Sequence, residues 1–333
     1  VTPPVTARRV AIAVVILALI AVPYVITEVY YVNIASQVLL YAVFALGLNV
    51  LVGYAGLVSL GHAGLFGVAA YVVAYLLAAG YGHTFAILGA LAAGLVVTAG
   101  FAALALRASG ISFIMITLAL GEIIWGLAYR WISLTNGDNG ISVATRPAPF
   151  GFSLVNARGF YDATLIVFLL ALVAVAIFVR SPLGAALCGT RDQPRRMNTL
   201  GYHVWMIRFW AFMFSGLLTS IAGILFVYYT EFISPQALAL TASAEGLLMV
   251  ISGGAGTLLG PVVGAALVVI VKNVVSAYVT RWNFMLGAIF VAIVVFMPEG
   301  LVPGAVRLAR SAFRSTRRSA GRGKPGAIVE PKP

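Results

Sequence analysis

RSPLGAALCGTRDQPRRMNTLGYHVWMIR, residues 180–208, is the stretch that decides how this chain folds. It is long and polar, it carries five arginines against one acid, and it separates two strongly apolar blocks. Outward from it, 62% of the 333 residues are apolar and 9% are charged, where a soluble domain carries about 25% charged residues. A soluble globule of this length cannot hide so much apolar surface, so the solvent for most of the chain is lipid. Several runs reach the ~20 apolar residues that cross a bilayer. Backbone polar groups in lipid must be satisfied within a helix or a closed barrel. The runs are continuous rather than alternating, which selects an all-α polytopic membrane protein.

Ten apolar segments are expected, near 9–27, 35–53, 57–79, 84–106, 110–133, 162–180, 207–230, 243–260, 261–280 and 282–301. The segments at 57–79 and 243–260 are glycine-rich and are expected to be broken or re-entrant, so about eight to ten crossings are predicted. Residues 1–306 form the membrane domain. Residues 307–333 are basic and poor in apolar residues, a composition that predicts a disordered tail able to touch anionic lipid.

Charge orients the bundle. With ten spans and a cytoplasmic N terminus, sixteen of the 21 basic residues fall inside. Four fall outside (Arg130, Arg146, Arg158 and Arg281), and Lys272 lies within a span. The positive-inside rule expects this bias; it places residues 180–208 and both termini in the cytoplasm and residues 134–161 in the longest external loop. The net charge of +12 is therefore read as topology and not as nucleic-acid binding. Arg8 and Arg9 precede an apolar run without a small-residue cleavage pattern, which predicts a retained first helix. The single cysteine, Cys188, is expected to be a free thiol. The three histidines lie far apart in sequence, so neither a metal nor another cofactor is expected.

The chain has no G-x-x-x-x-G-K-[ST] loop for a nucleotide. Its nine acids are scattered without a paired-carboxylate arrangement. It is not expected to be an enzyme, and ATP and Mg would be bound by another chain.

Within residues 180–208, Ser181 followed by Pro182 is a helix start: serine caps free N–H groups, and proline at the first position has no N–H to lose. A short helix is predicted to about Thr190, and Asp192 is expected to cap a second that ends at Gly201. Leu183, Leu187, Met197 and Leu200 would lie on apolar faces, with Arg191, Arg195 and Arg196 nearby. Without further information such a segment is either a solvated, topology-setting loop or a docking surface.

Two sets of glycines point to close helix contacts or breaks. One includes Gly53, Gly56 and Gly61; the other includes Gly253, Gly254, Gly256 and Gly260. Gly53-Tyr54-Ala55-Gly56 and Gly253-Gly254-Ala255-Gly256 share G-x-A-G, a hint of internal repetition. Polar residues inside apolar runs need a reason, and Asn49, Ser59, His62, Thr117, Glu122 and Glu245 are the substrate-path candidates. Each has the alternative of an interhelical hydrogen bond. Glu122 is expected on the bundle interior, and Glu245 at the start of a span.

Four motifs in order carry a family resemblance: ALGLNVLVGYAGLVSLGHAGLFGVAAY at 45–71, LTNGDNGI at 134–141, RSPLG at 180–184 with the sequence through SGLLTSIAGILF, and EGLLMVISGGAGTLLGPVVG at 245–264. Most of the chain resembles the permeases of branched-chain amino acid ABC importers of the LivM type. The resemblance implies an ABC-importer permease bundle in the cell inner membrane. It implies coupling to ATPases through Arg180, Ser181, Pro182, Gly184, Arg191, Asp192 and Gly201. It also implies partners: a second, LivH-type permease, two ATP-binding subunits and an extracytoplasmic solute-binding protein that docks on the external side. Branched-chain or other hydrophobic amino acids are the implied solute, with urea or short amides as the alternative. A self-sufficient secondary transporter or channel is a second class. Around Gln193-Pro194 and Met197-Asn198 the family usually carries acids and alanine, whereas this chain has Pro194 and an acid-poor arginine run.

Overall fold

The structure is a computed structural model and describes residues 23, 28–143, 156–278, 282–297, 300–304 and 307. The expected first segment at 9–27, apart from Pro23, and the basic tail beyond Arg307 lie outside these residues. The major helices are α1 (Val29–Asn49), α2 (His62–Ala78), α3 (His83–Ala105), α4 (Ile111–Arg130), α5 (Ala157–Arg180), α6 (Pro182–Asp192), α7 (Pro194–Thr199), α8 (Val204–Thr230), α9 (Leu240–Gly253), α10 (Gly260–Tyr278) and α11 (Trp282–Phe296). Wider π-type turns at Val50–Ala55 prolong α1.

Five of these are long and apolar enough to cross a membrane: α1 with its prolongation, α3, α4, α5 and α8. Helices α2 and α9 and most of α10 are shorter apolar helices. The described chain is thus a polytopic membrane bundle of the all-α class. The most apolar stretch of α1 is 83% buried and that of α8 61%, against 22–28% for α3, α4 and α5. So α1 and α8 form the centre and α3–α5 the periphery. The outer faces of those three expose Val96, Ile123, Leu170 and Ile177, an apolar coat suited to lipid. Lipid is as apolar as these side chains, so the helices are held by close packing and interhelical hydrogen bonds rather than by exclusion of water.

Glycine packing is visible where helices meet. A Cβ at Gly264 would run into the carbonyl of Met249, and one at Gly253 into that of Gly260, which brings α10 onto α9. A Cβ on Gly121 of α4 would lie 3.1 Å from the Cα of Gly61.

The two glycine-rich segments are interrupted, with boundaries that refine the sequence expectation. In the first, the break precedes the helix: residues 56–61 are non-helical and α2 is then continuous. In the second, α9 ends at Gly253, residues 254–259 turn, and α10 begins at Gly260. Helix α9 spans 14 residues, about 21 Å at 1.5 Å per residue, which is short of a bilayer core.

Helices α2 and α9 both start at mid-depth. The ring of His62 meets Ser215, the twelfth of the 27 residues of α8. The amide of Ala63 donates to Ser243 Oγ at 3.0 Å, close to the first turn of α9. The N-termini of α2 and α9 therefore face each other inside the bundle. Their first amides lack intrahelical partners, and both positive dipole ends point to the same region.

At the Thr230 end a two-residue antiparallel pairing joins β1 (Ile141–Ser142) to β2 (Phe232–Ile233), with Ile141 opposite Ile233. Val143 N–H adds a bond to Glu231 O at 2.8 Å. Of the expected external loop, residues 134–143 and 156–161 are described. Thr135 Oγ1 donates to Trp131 O at 2.8 Å, and Asn136 Nδ2 donates to Gly140 O at 3.1 Å. Asn136 adopts φ 60°, a conformation asparagine tolerates better than most residues.

Candidate functional site

The RSPLG sequence folds as its chemistry requires. Ser181 Oγ accepts from Gly184 N–H at 3.2 Å, and Pro182 opens α6. A Cβ at Gly184 would collide with the carbonyls of Phe178 and Val179, so glycine lets α6 fold back tightly on the end of α5. Helix α6 runs on to Asp192, past the expected end near Thr190. Asp192 does not cap α7; Gln193 occupies that position, and Asp192 Oδ1 instead accepts from Arg191 Nε at 2.9 Å. The physical reason is that Asp192 is still helical, so its carboxylate points away from the next first turn. Gly201 ends α7 with φ 86°, and Tyr202 N–H reaches Met197 O at 3.1 Å, a Schellman-type stop. Leu187 is fully buried and Leu200 is 64% exposed.

Two arginines lace this segment to the bundle. Arg208 Nη2 donates to Thr190 O at 2.7 Å, satisfying a carbonyl that the end of α6 leaves free. Arg191 Nη1 donates to Gly53 O at 2.8 Å, and its stem lies where a Cβ on Gly56 would meet it at 2.6 Å. Gly56 has φ 69°, a left-handed turn that ends the π-type stretch. Arg180, Arg195 and Arg196 are exposed.

The two G-x-A-G motifs meet at this point. A Cβ at Gly53 would run into the amide and Cα of Gly256, and one at Gly256 would lie 3.2 Å from Gly53 O. Asn49 binds the second motif across the contact: Gly256 N–H donates to its Oδ1 at 2.9 Å, and its Nδ2 donates to Thr257 O at 3.0 Å. Thr257 Oγ1 donates to Gly254 O at 2.7 Å and accepts from Gly260 N–H at 3.1 Å. Asn49, Gly53, Gly56, Gly256 and Arg191 thus form one node. It joins the prolongation of α1, the 254–259 break and α6.

Ser59, His62 and Thr117 hold the first break to the bundle. Ser215 Oγ donates to Gly47 O at 2.6 Å, so it accepts from His62 Nε2–H at 3.0 Å. His62 Nδ1 then accepts from Ser59 Oγ at 2.8 Å. An imidazole protonated on Nε2 satisfies every partner. Thr117 Oγ1 accepts from Leu60 N–H at 3.3 Å and donates to Ile114 O at 2.9 Å. His62→Leu is expected to leave Ser59 without its acceptor and to cost about 1–3 kcal/mol. A lowered thermal midpoint of the purified protein, with His62→Gln less affected, is the measurement that checks it.

Glu122 is half-buried on α4 and has no hydrogen bond or ion pair among the described residues. Glu245 does not begin its helix; it is the sixth residue of α9. It accepts from Lys272 Nζ at 3.0 and 3.2 Å. Both line a cavity of about 340 Å³ that extends from the start of α2 to the Thr230 end of α8. Phe44, Phe66 and Phe226 form its apolar wall, Phe44 edge-on to Phe66 at 5.4 Å between centroids and Phe66 tilted against Phe226 at 5.3 Å. Gln236 and Thr241 add polar groups. Lys272 is a site residue that the sequence signals only as a lysine inside an apolar run, which needs a partner at depth. Tyr41 and Ser215 sit in apolar runs without a distinguishing pattern.

A bundle of apolar helices with two helices that start at mid-depth, a polar segment laced to the junction of two breaks, and a cavity between those mid-depth starts and the Thr230 end of α8 is the architecture of a membrane permease. The chain belongs to the family of branched-chain amino acid transport system permease components, whose model matches residues 30–294. It is 31% identical over 298 residues to the high-affinity branched-chain amino acid transport system permease protein LivM of Escherichia coli K12, covering 82% of this chain and 70% of that one. It is 30% identical over 298 residues to LivM of Salmonella typhimurium LT2, with the same coverage. It is 23% identical over 297 residues to the permease LivH of Salmonella typhimurium LT2, covering 79% and 91%. No solved structure matches it.

Proposed function

We propose that this chain forms half of the translocation pathway of an ABC importer for branched-chain or other hydrophobic amino acids. The other half is a LivH-type permease of the same build, a pairing supported by the similarity of this one chain to both LivM and LivH. Two ATP-binding subunits dock on α6 and α7 at the cytoplasmic face, and a solute-binding protein delivers the solute to the opposite end. The basic residues near 180–208 support that orientation. Both termini lie on the cytoplasmic side.

The observation that carries the coupling role is the 2.8 Å bond from Arg191 to Gly53 O. It ties the segment that would receive the ATPases to the junction of both helix breaks, so a shift of α6 moves the break. Ligands and ATP drive such a shift only through unequal affinity for the two states. The aromatic wall of the cavity favours an apolar side chain over urea or a short amide.

The test is affinity purification of a tagged copy from its own host, followed by reconstitution with the solute-binding protein. An ATPase pair and a second permease should co-purify, and ATP should drive leucine uptake. Uptake by this chain alone on an ion gradient, with no ATPase recovered, overturns the proposal.

A further inference from the structure

We infer that the Glu245–Lys272 pair is the recognition site for the charged head of a zwitterionic α-amino acid. The inference rests on the amino-acid reading above and adds where and by which groups the solute is held.

The two side chains bridge α9 and α10 with Nζ–Oε distances of 3.0 and 3.2 Å. They are not sealed: the side chain of Lys272 is 35% exposed and that of Glu245 20%, and both face the cavity. An ionisable pair at membrane depth is costly to keep and calls for a role. An α-amino acid carries an ammonium and a carboxylate on one carbon. Its ammonium fits against Glu245 and its carboxylate against Lys272 as the direct bridge opens.

The pair and the zwitterion are each neutral overall, so exchanging the direct bridge for two solute bridges leaves the net charge of the cavity unchanged. A solute with only one of the two charges can replace only one side of the bridge it opens. Urea, with neither, cannot replace the bridge it would break. The site therefore favours a solute that carries both charges over an amine, a simple carboxylate or an amide. The mid-depth N-termini of α2 and α9 add to this region: Ala63, Thr241 and Ala242 line the same cavity, and positive dipole ends favour a carboxylate. The Phe44, Phe66 and Phe226 wall receives the apolar side chain. No bond beyond hydrogen bonds and ion pairs is made or broken.

The test uses the reconstituted complex and L-leucine as the probe. Glu245→Gln and Lys272→Met are each expected to lower uptake at subsaturating leucine about ten- to a hundredfold, the range of a lost charged hydrogen bond. The decisive variant is the double exchange Glu245→Lys with Lys272→Glu. It keeps an ion pair between α9 and α10 but reverses the head-group polarity relative to the aromatic wall. Recognition predicts that the exchange assembles in normal yield and remains as defective in leucine uptake as the single variants. Recovery of wild-type uptake in the exchange shows a merely structural bridge and overturns the inference, as does unchanged uptake in both single variants. If the wild-type complex hydrolyses ATP but moves no leucine, the underlying function reading fails and the inference falls with it.

Discussion

Gly53→Val is expected to eliminate leucine uptake and to weaken assembly of the permease. The new Cβ has nowhere to go: its position is taken by the amide and Cα of Gly256 and by Asn49 Oδ1. Backbone cannot yield as a flexible side chain can, so the two breaks must separate. Separation also removes both Asn49 bonds to the 256–257 backbone. Overpacking of this kind costs about 1–3 kcal/mol or more, and each deprived buried polar group adds about 1–3 kcal/mol. Recovery of the complex in detergent and its thermal midpoint should both fall. Gly126→Val, on α4 with open space around its Cβ, serves as the control and should keep both. Normal uptake and midpoint in Gly53→Val would show that the junction of the motifs is loose.

Arg191→Ala is expected to separate ATP hydrolysis from transport. The substitution deletes the bond to Gly53 O and the stem that lies over Gly56, while the capped start of α6 at Ser181 and Pro182 is untouched. The helix remains in place but loses its hold on the break. A lost coupling energy of about 1–3 kcal/mol corresponds to about five- to 150-fold, and uptake per ATP hydrolysed should fall within that range. Arg191→Lys keeps a cation and most of the stem but loses the fork that binds Gly53 O and Asp192 together, so it should lie between. Equal losses of uptake and ATPase activity in Arg191→Ala would instead mean that α6 no longer docks.

Much of this was readable in the sequence because it is local. Continuous apolar runs set the helices, Ser181-Pro182 set the start of α6, and Gly201 the end of α7. The glycine-rich stretches announced breaks, yet not their edges: whether helix resumes at residue 57 or 62 depends on His62 finding Ser215, a partner 153 positions away. The pairing of Glu245 with Lys272 spans 27 positions and a turn whose direction is set by glycine contacts. Asn49 is a short polar residue in an apolar run, and nothing near it in sequence names a partner 207 residues on. The cap expected at Asp192 falls to Gln193 for a smaller reason. Capping patterns identify residues able to cap, while the helix boundary that decides between neighbours is fixed by packing.

The β1–β2 pairing makes residues 134–143 and the cavity wall a single lever. Residues 134–143 are fastened through Ile141, Ser142 and Val143 to the 231–233 strand. The chain runs from that strand straight into Ser234, Gln236 and Ala237 of the cavity lining. A displacement at Asn136 or Asp138 is therefore delivered through the strand pair to the mouth of the cavity without passing through any of the five long helices.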